Sequence, residues 1–291
     1  TGGHPDACRC LLVSKKHSGS LVMAPPFYSK NGCANKYSRL GELILREHFR
    51  AVWPDERPDA AFDRWWDHSA RASLTYAFEC VAPRVLGDHG ATPRAAYMVL
   101  TCVAHTASGT ILSPAAMLGL ATAWRLPLNE AWFVPWERAP AVEDALHAAR
   151  WTLLDSQVDA LLDGSGPSQR CLRHSDTQGE VLEGFVLMGL DVEVAQLAPL
   201  ISRYEAAISP HREAALSAAL RLGAACLSRD PDLIGRLEIP RPREPVQHPQ
   251  MSEAAAWEYA CAGDGPIPKL FRVLRSAYAQ HVALKRYEYE G

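Results

Sequence analysis

Side chains that could do chemistry occur in three stretches far apart in the chain. Lys16 stands three residues before Gly19-Ser20 in "KHSGS", between two short apolar runs. A turn there needs the glycine and has no use for the lysine. A phosphate site uses both, a cation to meet the charge and a glycine that lets the backbone come close. Taken alone, Lys16 reads as a solvated turn residue. Glu79 in "FECV" and Glu183 in "LEGFVL" alter that balance, because each lies between apolar residues in a stretch rich in strand formers. A strand carboxylate flanked in this way either faces solvent or has a cation beside it, since an unpaired buried charge is costly.

The elements that must position these residues follow from periodicity and punctuation. Residues Cys10 to Val13 and Leu21 to Ala24 read as short strands around a loop carrying the lysine. From Asn35 to Arg50, Tyr37, Leu40, Ile44 and Leu45 fall close to one helical face, with Asn35 as N-cap. Trp53 to Pro58 is a proline-bearing loop. Leu74 to Val81 reads as a strand, Ala96 to Ala104 as its partner, and Ser108-Gly109 as a turn before a third strand. From Pro114 to Leu162 the pattern is mostly helical, interrupted by a strand over Ala131 to Val134. Asp163 to Ser168 is a loop, and Val181 to Leu187 a strand that carries Glu183. Val194 to Leu227 reads as two helices divided near Ser209-Pro210. Ile239 to Gln250 holds too many prolines for a helix or a central strand, and a last helix follows "PIPKL". Short strands mixed with helices without regular alternation predict an α+β fold with antiparallel sheets.

Lys16-His17-Ser18-Gly19-Ser20 resembles motif I of the covalent nucleotidyltransferases, the superfamily of polynucleotide ligases and capping enzymes. Phe78-Glu79 resembles motif IIIa, and Glu183-Gly184-Phe185-Val186 resembles motif IV, in matching order and rough spacing. The pattern is most similar to RNA ligases of the phage RNA ligase 1 and tRNA-ligase type, in which a Ser-Lys stretch follows the nucleophile, as Lys30 does here in "YSKNG". The resemblance runs from Leu11 to Val186. It implies an antiparallel-sheet nucleotidyltransferase core with helical additions. Residues 1–190 would form the core, 191–262 a helical insertion and proline-rich linker, and 263–291 a segment returning to the core with motif V.

The same resemblance implies an ATP-dependent RNA ligase. Lys16 would attack the α-phosphorus of ATP to form lysyl-AMP, and RNA 5′-phosphate and 3′-hydroxyl ends would then be sealed. Gly19, Ser20, Lys30, Glu79, Glu183, Lys269 and Arg272 would bind the nucleotide, and Glu183 would also meet Mg2+. Motif V departs from the family pattern. No lysine occurs between Leu187 and Pro268, so Lys269 and Arg272 of "PKLFRVLRSAY" take its place. "LLVSKKHSG" also resembles the Ser-Lys-His-Ser stretch that tRNA ligases carry after motif I. On that alignment Lys16 binds phosphate, and the nucleophile falls at or before Thr1-Gly2-Gly3, outside the chain. A non-catalytic RNA-binding or scaffold protein of the same fold is the alternative from another class; a DNA ligase or capping guanylyltransferase is the alternative within the superfamily.

Composition narrows the remaining classes. With 291 residues, 48% of them hydrophobic, the chain can bury a substantial core. A net charge of -3 gives no global attraction to nucleic acid, so RNA binding requires a local basic patch. No stretch approaches the roughly 20 apolar residues that cross a bilayer. No leader opens the chain, which begins at Thr1 and leaves an upstream signal open, as it does further domains or protein partners. The eight cysteines are scattered, with only Cys8 and Cys10 close, which predicts reduced thiols in an intracellular compartment. The histidines lack H-E-x-x-H spacing, and neither a P-loop nor a Rossmann glycine pattern occurs. Trp65 and Trp66 read as packing residues rather than base-stacking ones.

Overall fold

Alternation along β1 (Cys10–Lys16) sets the site, because it divides neighbouring residues between two environments. The computed structural model describes residues 8–17, 19–30, 32–33, 35–83, 93–148, 168–169 and 184–237. All of these belong to a unit spanning Thr1–Ile239. β1 is flanked by β8 (Ala131–Pro135) and β10 (Gly184–Leu190), with β9 (Ser168–Gln169) beyond β8, in an antiparallel sheet ordered β10-β1-β8-β9. Leu11 and Val13 pack with Trp132 and Val134 beneath α4 (Ala139–Ala148), which contributes Val142 and Leu146. The other face of β1 carries Leu12, Ser14 and Lys16. The strand thus runs three residues beyond the expected end at Val13, and Lys16 is its last residue rather than a loop residue.

A second antiparallel sheet is ordered β4-β3-β2-β5-β6-β7. Its strands are β2 (Ser20–Ala24), β3 (Tyr28–Ser29), β4 (Gly32–Cys33), β5 (Leu74–Val81), β6 (Tyr97–His105) and β7 (Thr110–Ile111). Tyr76, Phe78 and Cys80 of β5 are fully buried, so Glu79 takes the opposite face, level with Leu21 and Val99. The buried face is covered by α1 (Lys36–Val52) and α2 (Ala60–Arg71). Trp65 of α2 is fully buried, with its ring centroid 5.2 Å from that of Tyr76, and Trp66 packs against the same core. Asn35 caps α1 as expected. Its Oδ1 accepts from the Tyr37 and Ser38 N–H groups, while Nδ2 donates to Ser29 Oγ and the Gly32 carbonyl, tying the β3–β4 turn to the helix.

The mixed helical and antiparallel architecture is α+β. After α3 (Pro114–Trp124), the later helices are α5 (Val194–Ile208), α6 (Arg212–Ser228) and α7 (Pro231–Leu237), with a 3₁₀ turn over Ser209–His211 dividing the first two. α5 packs on α3 and α6 on α1. Val194, Leu197, Ile201 and Tyr204 are buried in the same core as Phe78 and Leu100. Gly223 lets α6 close on the segment before β6, where an added Cβ would lie 1.9 Å from the Arg94 carbonyl oxygen. Among the described residues no helix is long and apolar enough to cross a membrane.

Candidate functional site

A cavity of about 340 Å³ lies between the two sheets. β1, β8 and β10 form one wall, and β5, β6 and the start of α3 the other. Most of its lining is apolar, including Leu12, Met117, Phe133, Val186 and Met188; Ser14, Lys15, Lys16, His17, Glu79, Thr101 and Asn129 supply polar residues, Lys15 from within the wall. Val186 and Met188 are 49% and 47% exposed, so the edge strand β10 offers apolar side chains at the cavity rim. An apolar enclosure with a few convergent polar groups suits a ring-bearing ligand with a charged end.

The two adjacent lysines are separated by strand parity. Lys15 is buried on the Leu11–Val13 side, where its Nζ pairs with Glu130; their side chains are 5% and 4% exposed. Lys16 is exposed and lines the cavity, and its register partner across the sheet is Gly184 of β10. Glu79 lines the opposite wall. The structure thus brings Lys16 and Glu79 to one cavity across the gap between the sheets.

The other expected residues divide. Gly19 has a packing reason close at hand. An added Cβ would lie 2.5 Å from the Cys80 carbonyl oxygen and 3.1 Å from Glu79 Cγ, so the close approach seen is to β5. Ser20 pairs with Cys80 in the β2–β5 ladder. Lys30 is exposed in the turn between β3 and β4. Gly19, Ser20 and Lys30 are not among the residues that line the cavity. Glu183, Lys269 and Arg272 lie outside the described residues, as do the loop over 163–167, the proline-rich run and the last helix. Gly184, next in sequence after Glu183, is the residue level with Lys16.

Sequence reasoning missed the polar cluster at the end of β1. Asn129 Nδ2 donates to the Lys15 carbonyl at 2.7 Å, which turns Asn129 Oδ1 toward His17 Nε2 at 2.9 Å. His17 Nε2 must therefore carry a proton, and Nδ1 meets the Tyr97 hydroxyl at 3.1 Å. In the neutral ring Tyr97 donates that bond. Continuing the alternation from Leu11 and Val13 to Lys15 would have exposed the inward lysine; nothing local signals Asn129 or Glu130 as its neighbours, or Tyr97 as that of His17.

The thiols near the site are structural. Burial pushes the Cys80 thiol up, and the Glu79 charge adds to that shift. Burial likewise pushes Cys10 and Cys226 up to about 11. Cys8, Cys10, Cys80, Cys102 and Cys226 are free. Among the described residues no three His, Cys, Asp or Glu side chains gather into a metal site.

No protein-family model matches the chain. Over 189 aligned residues it is 33% identical to tRNA ligase 1 of Arabidopsis thaliana. The match covers 60% of this chain but only 17% of the relative's length.

Proposed function

We propose that this chain is the adenylyltransferase portion of an ATP-dependent RNA ligase, with Lys16 as the residue that becomes adenylated. The observation that carries the reading is the placement of Lys16 at the end of β1, on the cavity face, level with Gly184 and across from Glu79. The similarity to a tRNA ligase supports it independently. A neutral Lys16 amine would attack the α-phosphorus of ATP in line. A P–N bond forms as the bond to the bridging oxygen breaks, pyrophosphate leaves with that electron pair, and the amine gives up one proton to solvent. The apolar wall with Phe133 and Met188 would hold the base, and Glu79 would accept from a ribose hydroxyl. AMP would then pass to an RNA 5′-phosphate, and a 3′-hydroxyl would displace it as the strand is sealed.

Mg2+ is held in such reactions by phosphate oxygens, waters and one or two carboxylates rather than by a protein cage. A cavity with a single carboxylate, Glu79, on its described walls fits that mode, and Glu183 is the proposed second. The magnesium offsets phosphate charge. Lys269 and Arg272 are proposed as the cations that meet the departing pyrophosphate.

A second reading has its own observation. The lysine-free run from Leu187 to Pro268 occupies the place where ligases carry motif V, which favours a non-catalytic RNA-binding protein of the same fold. Incubation with α-labelled ATP and magnesium, followed by a denaturing gel, separates the two. The ligase reading expects a covalent label from ATP far above that from GTP. No label would favour the non-catalytic protein or the alignment in which Lys16 binds phosphate and the nucleophile falls outside the chain, and preferential labelling by GTP would favour a capping enzyme.

A further inference from the structure

The residues on either side of Lys16 are gripped by one short segment that no motif marks, and we propose that its Asn129 and Glu130 are positioning residues that aim Lys16 into the cavity. This role presupposes Lys16 as the adenylated residue. On one side, the Lys15 N–H donates to the Glu130 carbonyl at 3.1 Å, the Lys15 carbonyl accepts from Asn129 Nδ2 at 2.7 Å, and the Lys15 ammonium pairs with the Glu130 carboxylate. On the other, His17 Nε2 donates to Asn129 Oδ1 at 2.9 Å. Two adjacent residues thus hold the main chain before Lys16 and the ring after it.

The gripping segment is itself anchored. Leu100 N–H donates to the Pro127 carbonyl at 2.7 Å. The fully buried Tyr204 of α5 has its hydroxyl 2.8 Å from the Leu126 carbonyl, to which it donates, and 3.2 Å from the Leu128 N–H, from which it accepts. His17 is tied separately to Tyr97 on β6. Lys16 is therefore referenced to β6 and α5 as well as to its own sheet.

A buried ion pair is a poor device for stability alone, since a well-packed apolar pair in its place is often as stable or more so. It can hold a strand end in place. A slip of one residue that sets Ser14 against Glu130 would leave that carboxylate buried without Lys15. The opposite slip would give it Lys16 instead, and either slip would turn Leu11 and Val13 out of their core. Leu11 and Val13 therefore decide which lysine faces the cavity, while Glu130 and Asn129 hold the residues that flank it. Orientation of this kind contributes directly to the rate of an in-line attack.

The full chain with Asn129→Ala, and separately with the pair Lys15→Met and Glu130→Leu, tests the role. At saturating ATP the single-turnover labelling rate should fall by about 10- to 100-fold in each, with the ATP concentration for half-maximal rate nearly unchanged. A second readout needs no ATP. Acetylation of Lys16 by an N-hydroxysuccinimide ester, mapped by mass spectrometry against the exposed Lys36, should shift by about twofold or more in both variants. Circular dichroism establishes folding; if Asn129→Ala fails to fold, the apolar pair decides. An unchanged Lys16-to-Lys36 ratio in a folded variant overturns the positioning role. A shifted ratio in a protein that ATP never labels supports the positioning and overturns the adenylation reading instead.

Discussion

Lys15 and Lys16 are chemically identical neighbours with opposite surroundings, and the contrast shows how a strand converts sequence adjacency into separate duties. Lys15 is buried on the same face of β1 as Leu11 and Val13 and tied to Glu130. Lys16, one residue on, is exposed in a cavity whose far wall carries Glu79. The first is held by an opposite charge inside the wall; the second is exposed on the cavity face. Strand parity alone makes the division, because residues one apart point to opposite faces of a sheet.

The largest effect that could break this contrast is on Lys16. Lys16→Ala should remove covalent labelling by ATP by about 10³-fold or more without lowering the midpoint of unfolding. Strong residual labelling would place the nucleophile elsewhere. Lys15→Ala should act chiefly on stability, with labelling slowed by no more than the about 10- to 100-fold expected of the apolar pair. Leaving Glu130 buried without its cation should cost about 3–5 kcal/mol of stability, measured by urea unfolding. A loss below about 1 kcal/mol would mean that solvent reaches Glu130 and that the pair behaves as a surface one.

Two histidines extend the comparison. His48 is buried in α1 and donates from Nε2 to the Arg125 carbonyl at 2.7 Å. Burial lowers its pKa from 6.5 to about 4, partly opposed by that hydrogen bond. The unfolded chain therefore binds this proton at a higher pH than the folded one, so stability falls as pH drops from about 6.5 toward about 4. The loss attributable to His48 should approach about 3 kcal/mol, and His48→Gln should remove that part of the slope of stability against pH. His17 differs in being tied through both ring nitrogens, to Asn129 and Tyr97, rather than through one. If His48→Gln left the acid slope intact, the instability would belong to other groups.

Much of the fold was legible because its signals are local. Asn35 with its following apolar face marked α1, "LTYAFECV" matched β5 from Leu74 to Val81, and Ser209-Pro210 marked the break between α5 and α6. α2 was not read. Its Ala60–Arg71 stretch starts from Asp59 in the left-handed region at φ 68°, without a side-chain cap, and hides two tryptophans among charges. At the site, Lys16 and Glu79 were picked out by type and flanking pattern, whereas their supporting residues were not. His17 meets partners 80 and 112 positions away, and Lys15 reads as a polar loop residue until Glu130 is known to neutralise it. The reason for Gly19 was also non-local, since the carbonyl it approaches belongs to Cys80.

The smallest expected effect sharpens where the site ends. Lys30 has the Ser-Lys setting that in RNA ligases follows the nucleophile, yet it is exposed in the β3–β4 turn and does not line the cavity. A cation outside the cavity acts on a bound phosphate through solvent, where attraction decays over a Debye length of about 8 Å at physiological salt. Lys30→Ala should therefore slow ATP labelling by only a few-fold, about 1 kcal/mol or less, and the deficit should shrink as salt rises. Lys30→Arg, which keeps the charge, should restore the rate. A loss of about 100-fold that salt does not relieve would mean direct contact with the nucleotide, which requires the β3–β4 turn to fold over the cavity mouth when ATP binds. The boundary of the site would then lie beyond the two sheets, and Lys30 would join Lys16 on the reactive side of the comparison.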